Sequence, residues 1–138
     1  MNMPFTLKRV GLIQSKDDYQ FYLDADKVAI RRICPTSLRQ KLKSYLTEDV
    51  YKFERLLRKA EYHANCDTSV LGKVYASYLS YRLGKACLGL GFEIPINCFG
   101  PGLSIAHLGT VVVHGKTRIG ANCRIHPCVV PNSRHSIS

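Results

Sequence analysis

The sequence lacks tryptophan, holds only two methionines, and has half as many acidic as basic side chains, 10 Asp and Glu against 20 Lys and Arg. It contains no run of about 20 apolar residues, which a membrane-spanning helix requires. The first ten residues are too polar to form the apolar stretch of a secretory signal. These absences argue against a membrane protein or an exported protein, and we expect a cytoplasmic one. A length of 138 residues admits one ordinary domain, or a helical segment with a small second module.

The positive charge is spread along the chain. Residues 1–92 carry 16 basic and 9 acidic side chains, and residues 93–138 carry 4 and 1, so both parts share the net charge of +10. A nucleic-acid interface concentrates its basic residues on one face or in one stripe. We therefore expect no nucleic-acid partner. A diffuse positive field still attracts small polyanions such as nucleotide-phosphate cofactors.

The six cysteines are irregularly spaced, which argues against a disulfide framework and for reduced thiols. They are Cys34, Cys66, Cys87, Cys98, Cys123 and Cys128. The group Cys123, His126 and Cys128 contains two ligand types that zinc prefers, but no CxxC pair or second ligand pair accompanies it. We expect the two cysteines to pack in the core and predict no metal site.

Two amphipathic helices are predicted in the first half of the chain. Ser15 is typical of an N-cap, and apolar residues at helical spacing predict a helix from about Asp17 to Arg32, ended by Cys34-Pro35. Thr47 is a plausible N-cap for a second helix. Its apolar face would contain Val50, Phe53, Leu57, Ala60 and Ala64, and its basic face, which we expect to be solvated, Lys52, Arg55, Arg58 and Lys59.

A third helix is predicted from Val70 to Leu90, ended by the glycines at 89 and 91. Its broad apolar stripe contains Leu71, Val74, Tyr75, Tyr78 and Leu79. The five tyrosines between Tyr51 and Tyr81 could stack on nucleic-acid bases. At helical spacing, however, such a stripe more often forms a core or an interface between proteins.

Beyond residue 92 a period of six replaces the helical period. Small or apolar residues occupy the fifth place of six successive hexads: Phe99, Ile105, Val111, Thr117, Cys123 and Val129. Aliphatic residues also recur at the first place, as Val113, Ile119 and Ile125. This pattern is typical of a parallel β-helix, in which each six-residue unit forms a short strand and a turn, and three units complete one coil. Residues 95–130 would supply two coils.

Two stretches in this region resemble the serine O-acetyltransferases, in particular the short bacterial form, within the hexapeptide-repeat acyltransferases. The first runs from Phe92-Glu93-Ile94-Pro95 through Ile105-Ala106-His107 to Gly109-Thr110-Val111-Val112, and the second is Ile119-Gly120-Ala121-Asn122-Cys123-Arg124-Ile125-His126. The helical part, including residues 53–62, is also similar to the N-terminal part of that family. The resemblance therefore covers nearly the whole chain, up to about Val130.

The resemblance implies an α+β fold. A helical domain (1–92) would precede an incomplete left-handed parallel β-helix of about two coils (93–130) and a tail without repeats (131–138). It also implies a homotrimer or a dimer of trimers, and transfer of acetyl from acetyl-CoA to the hydroxyl of L-serine.

His107 is the candidate general base. It occupies the first place of its hexad, where neighbouring units carry an aliphatic residue, and imidazole is suited to remove a hydroxyl proton at neutral pH. Glu93 aligns with the acidic partner of the family's histidine if one residue is deleted between them, and would orient His107. We assign His114 and His126 to the surface or to turns.

The sequence also departs from the family pattern. Many members have an aspartate directly before the histidine, whereas Ala106 stands here. The family continues with a glycine-rich loop and further coils, whereas residues 131–138 show no hexads, so we interpret the chain as a truncated or frameshifted product. Two alternatives therefore stay open: an acetyltransferase for a sugar or another hydroxyl acceptor, and an inactive remnant that pairs with full-length partners.

Overall fold

A computed structural model of the chain describes residues 11–31 and 39–127. Three helices come first, α1 (Lys16–Arg31), α2 (Arg39–Cys66) and α3 (Val70–Leu90). Four strands of two residues each follow, β1 (Phe92–Glu93), β2 (Ser104–Ile105), β3 (Val111–Val112) and β4 (Arg124–Ile125). Within the described ranges, no helix combines the length and the apolar character that crossing a membrane requires.

Local capping signals fix the start of α1 and both ends of α3, and the caps at Ser15 and Gly91 were predicted. The Ser15 hydroxyl accepts a hydrogen bond from the backbone N–H of Asp18 at the start of α1. The Ser69 hydroxyl does the same for Gly72 at the start of α3. Helix α3 ends at Gly91, whose φ of 74° lies in the left-handed region and whose N–H donates to the carbonyl of Cys87. The predicted range of α3 is confirmed at both ends.

Helix α2 starts earlier than predicted. It begins at Arg39, so its backbone runs through Thr47 and the predicted N-cap there is wrong. Residues 39–46 contain no glycine or proline and several good helix formers, and such a stretch extends a helix readily. The predicted stop of the first helix, Cys34-Pro35, lies outside the described residues.

The strands pair two by two. Phe92 and Glu93 of β1 pair in parallel with Val111 and Val112 of β3, and Ser104 and Ile105 of β2 pair in parallel with Arg124 and Ile125 of β4. One isolated parallel bridge joins Phe99 to Ile119. The paired residues are 19 or 20 positions apart, whereas three six-residue units span 18.

The predicted left-handed β-helix is therefore a wrong expectation. The described residues form two separate two-stranded sheets, and no sheet among them curls into a helix. Turns at left-handed backbone positions, among them Asn97, Gly102 and Asn122, alternate with the pairs and limit each strand to two residues. The six-residue period thus reports short parallel pairs rather than a coil.

The same period does predict burial correctly. Phe99, Ile105, Val111 and Thr117 are buried, and Cys123 is half-buried. Val129, the next member, lies outside the described residues. At the first place of the hexads, Val113 and Ile125 are buried, whereas His107 is exposed. The one polar residue in that series thus faces solvent.

A single cluster of buried side chains joins the helices to the strand region. Val50, Phe53, Leu57 and Ala60 of α2 are buried as predicted, whereas Ala64 is exposed. The ring of Phe53 meets that of Phe92 edge to face, with centroids 5.1 Å apart. Leu79 and Leu83 of α3 join the same cluster as the buried residues of 94–125. The helices therefore form the support on which residues 92–127 are held.

Candidate functional site

His107 lies on the surface directly after a buried strand. Ser104 and Ile105 of β2 are buried, and the backbone N–H of Ala106 donates to the carbonyl of Ile125 at 2.9 Å. The chain then reaches solvent, since His107 and Leu108 are exposed. The backbone that leads to His107 is thus fixed on one side by β4, and the side chain of His107 is accessible to solvent.

The two candidate catalytic residues belong to different strand pairs. Glu93 is the exposed residue of β1 and pairs with Val112, whereas His107 follows β2, which pairs with β4. The backbone carbonyl of Glu93 accepts the N–H of Val113 at 2.8 Å. No hydrogen bond or ion pair joins the side chains of these two described residues, so the orientation of His107 by Glu93 stays a prediction.

A second imidazole lies beside His107. Because Ile105 pairs with Ile125, the residues that follow these two strands are neighbours, and the ring centroids of His107 and His126 are 6.2 Å apart with planes tilted by 53°. His126 is exposed, as assigned from the sequence. Its place next to His107 was not predicted, because it depends on a pairing interval of 20 residues instead of 18.

Arg58 of α2 holds the backbone of residues 97–105, which we call the anchored segment. Its guanidinium donates to the carbonyls of Phe99 at 2.9 Å and Gly100 at 2.7 Å. It also pairs with the carboxylates of Asp26 at 2.7 Å and Glu61 at 3.0 Å, and its side chain is fully buried. Burial lowers the pKa of Arg58, but Glu61 and Asp26 together raise it above the ordinary arginine value, so the guanidinium stays charged.

Asp26 of α1 binds the next part of the anchored segment. Its Oδ1 accepts the backbone N–H groups of Gly102 and Leu103, both at 2.8 Å, and its two oxygens accept from Arg58. Residues in two-residue strands leave many backbone groups without a ladder partner, and an unpaired buried group is costly. Asp26 supplies that pairing from a helix.

Two glutamates of α2 complete the attachment. Glu61 Oε1 accepts the N–H of Asn97 at 2.9 Å, and Glu54 Oε1 accepts the N–H of Ile105 at 3.0 Å, two residues before His107. The other oxygen of Glu54 is buried and has no hydrogen-bond partner in the described part of the chain. Burial raises the pKa of Glu54 to about 8, against the opposing effects of the Ile105 N–H and Arg58.

The predicted solvated basic face of α2 is therefore wrong at Arg58. Lys52 and Arg55 are exposed and Lys59 is half-buried, whereas Arg58 is the largest fully buried side chain in the described residues. A signal was present: Glu54, Arg58 and Glu61 recur at helical intervals of four and three, next to Phe53 and Leu57. We call these three residues the polar stripe.

A partly open cavity of about 210 Å³ lies beside the anchored segment, between the chain before α1 and the bridge of Phe99 to Ile119. Glu61, Cys98 and Arg118 line it. Burial raises the pKa of the Cys98 thiol, and Arg118 opposes the shift only in part. Cys98 is therefore a packed thiol and not an activated nucleophile.

The described cysteines, Cys66, Cys87, Cys98 and Cys123, are free thiols. In the described ranges no three or more His, Cys, Asp or Glu side chains are grouped as a metal ion requires. Cys34 and Cys128 lie outside those ranges.

Comparison with known proteins identifies no relative: no family model, curated protein or solved structure matches the chain. The resemblance to the serine O-acetyltransferases thus stands on the sequence motifs themselves.

Proposed function

We propose that the chain is an acyltransferase that moves the acetyl group of acetyl-CoA to the hydroxyl of L-serine, with His107 as general base. The observation that carries the proposal is the combination of an exposed imidazole with a rigid backbone before it. Four buried ionisable side chains, Asp26, Glu54, Arg58 and Glu61, hold the anchored segment that leads to His107. Such fixed geometry is what a positioned base requires.

In the proposed reaction an imidazole nitrogen of His107 takes the proton of the serine hydroxyl as its oxygen attacks the thioester carbonyl. The tetrahedral intermediate then collapses, the C–S bond breaks, and the thiolate of CoA leaves. The imidazolium returns its proton to that thiolate, so the products are O-acetylserine and free CoA. Glu93 is proposed to orient the imidazole and stabilise its charged form.

The charge of the strand region supports an anionic donor. In residues 92–127 the basic side chains Lys116, Arg118 and Arg124 are exposed, against the single carboxylate of Glu93. A positive surface raises the local concentration of the phosphates of acetyl-CoA. The free thiols support a reducing compartment, so we propose a cytoplasmic location. No metal, nucleic acid or membrane takes part in this proposal, and assembly as trimers remains part of it.

The test measures thiol release from acetyl-CoA with L-serine as acceptor. His107→Ala should lower kcat/KM by at least about 100-fold, the usual contribution of a general base. His114→Ala is the matched control, because His114 is also exposed and its Nδ1 only accepts the N–H of Lys116 in its own turn. That variant should keep the wild-type rate.

Equal activity of His107→Ala and wild type would overturn the proposal, as would the absence of thiol release with every acceptor tried. Release with a hexose or another alcohol but not with L-serine would keep the chemistry and replace the acceptor. For Glu93→Gln, a lower kcat at unchanged KM is expected from an orienting role.

A further inference from the structure

Helix α3 has apolar side chains on two opposite faces. One face packs in the core through Leu79 and Leu83. The other contains Leu71, Val74, Tyr78, Tyr81 and Leu88, which are between 51% and 83% exposed. A helix that is apolar all round belongs in an interior, whereas residues 11–31 and 39–127 leave this second face uncovered.

The spacing on the second face is that of a helix-pairing seam. Leu71, Val74, Tyr78, Tyr81, Lys85 and Leu88 follow one another at intervals of three, four, three, four and three residues. Apolar residues alternating at three and four form the contact line of two helices that wrap around each other. We call these six residues the exposed seam. Its 21-residue helix is long enough for three repeats.

The exposed seam is complementary to itself in the antiparallel direction. When two copies of α3 are superposed head to tail about a point between Tyr78 and Tyr81, Leu71 faces Leu88, Val74 faces Lys85 and Tyr78 faces Tyr81. Each contact then occurs twice, as a two-fold axis demands. We infer that α3 binds α3 of a second copy of this chain through the exposed seam, in antiparallel orientation.

Charge selects the antiparallel direction. Every charged residue of α3 is basic: Lys73, Arg82 and Lys85. Parallel pairing would place Lys85 against Lys85 in the seam, and two like charges at close range are unfavourable. Antiparallel pairing places Lys85 beside Val74, where its aliphatic stem covers the valine and its ammonium reaches solvent.

The area involved is sufficient for a stable pair. The five apolar side chains of the seam expose roughly 600–700 Å² on each copy, if a large apolar side chain offers about 150–250 Å² when fully exposed. If pairing covered the seam completely, two copies would bury at most about 1,200–1,400 Å², at the lower limit of stable specific interfaces. Tyrosine pairs at the centre of such an interface are typical of residues that dominate affinity.

The experiment compares molar masses of the purified full chain by analytical ultracentrifugation between 1 and 100 μM. Leu71→Glu should halve the mass of the assembly and raise the dissociation constant at least about 30-fold, because it places a carboxylate twice in the apolar seam. Ser80→Glu is the matched control, since Ser80 is exposed on α3 away from the seam. It should keep the wild-type mass.

Val74→Glu tests the direction of pairing. In the antiparallel pair the introduced carboxylate faces Lys85 of the second copy, so the assembly should persist and its dissociation should become more sensitive to salt. In a parallel pair the two carboxylates would face each other and weaken it. If wild type and Leu71→Glu have the same molar mass at every concentration, the pairing is overturned. If Val74→Glu no longer associates, the antiparallel arrangement is overturned.

Discussion

Helices α2 and α3 distribute polar and apolar side chains in opposite ways. Helix α2 buries the ionisable side chains of Glu54, Arg58 and Glu61, whereas α3 exposes Leu71 and Leu88 almost completely. The difference follows from what each helix faces. The polar stripe of α2 contacts a segment in which some backbone groups have no strand partner, so hydrogen-bonding side chains are needed there. The outer face of α3 packs against no other element of the described chain, so its apolar residues are left exposed to solvent in one copy.

The comparison shows that buried ionisable side chains here bond one side of a segment whose other side is paired with residues 119–125. In a continuous sheet, neighbouring strands satisfy the backbone N–H and carbonyl groups. In residues 97–105 some of these groups bond to the backbone of residues 119–123, and the side chains of Asp26, Glu54, Arg58 and Glu61 bond to others. The helices thus determine the backbone conformation of the segment before His107, in addition to covering it.

The largest effect is expected from removing the cation of the polar stripe. Arg58→Ala leaves the carboxylates of Asp26 and Glu61 buried without their partner and two carbonyls without a donor. Breaking a buried charge network in this way costs about 3–5 kcal/mol of unfolding free energy. Urea denaturation followed by circular dichroism measures the loss.

Arg55→Ala is the control for that change. Arg55 is exposed, donates to the Tyr51 hydroxyl at 3.4 Å and stacks on its ring. Its removal should cost at most about 0.5 kcal/mol. Similar losses for the two variants would contradict the distinction between the buried stripe and the solvated face.

A pH-dependent effect of intermediate size is expected at Glu54. Its pKa of about 8 in the folded chain lies above the ordinary value of 4.5, so the folded state binds more protons than the unfolded state between these values. The contribution of protonated Glu54 to stability is therefore complete below about pH 4.5 and is lost as the pH rises to 8. Glu54→Gln keeps a neutral acceptor for the Ile105 N–H and should remove this loss.

The measurement is the unfolding free energy of wild type and Glu54→Gln at pH 5 and pH 9. The two should agree at pH 5 within about 1 kcal/mol, and the variant should exceed wild type at pH 9 by up to about 5 kcal/mol, since each unit of the rise from 4.5 to about 8 corresponds to about 1.36 kcal/mol. Asp49→Asn, an exposed change on the same helix, should follow the wild-type pH profile. If the unfolding free energies of Glu54→Gln and wild type depended on pH in the same way, the carboxyl of Glu54 in the wild type would be ionised throughout this range.

Local features of this chain could be predicted from its sequence, whereas contacts between residues far apart in the sequence could not. Gly91 ends α3 as predicted, because a cap acts on residues within one turn. Likewise, the six-residue period predicted which residues of 99–123 are buried. The partners of Arg58 lie 32 to 42 residues away, in α1 and in the anchored segment, and no local pattern specifies them. The same limit applies to His107 and His126, whose proximity depends on the register of β2 with β4.

The smallest effect is expected at a turn of the anchored segment. Gly102 has a φ of 84°, and a Cβ there would lie 2.5 Å from Asn122 Oδ1 and 3.2 Å from the Asn122 backbone. Gly102→Ala should therefore cost about 2 kcal/mol, from the left-handed backbone and from the displaced Asn122. Gly120→Ala is the control, because a Cβ at Gly120 meets nothing within 4 Å. The backbone N–H of Gly102 also donates to Asp26. A loss of unfolding free energy in Gly102→Ala but not in Gly120→Ala would therefore locate the strain at the contact between the helices and the segment that leads to His107. Equal stability of the two variants would show that this contact does not constrain residue 102.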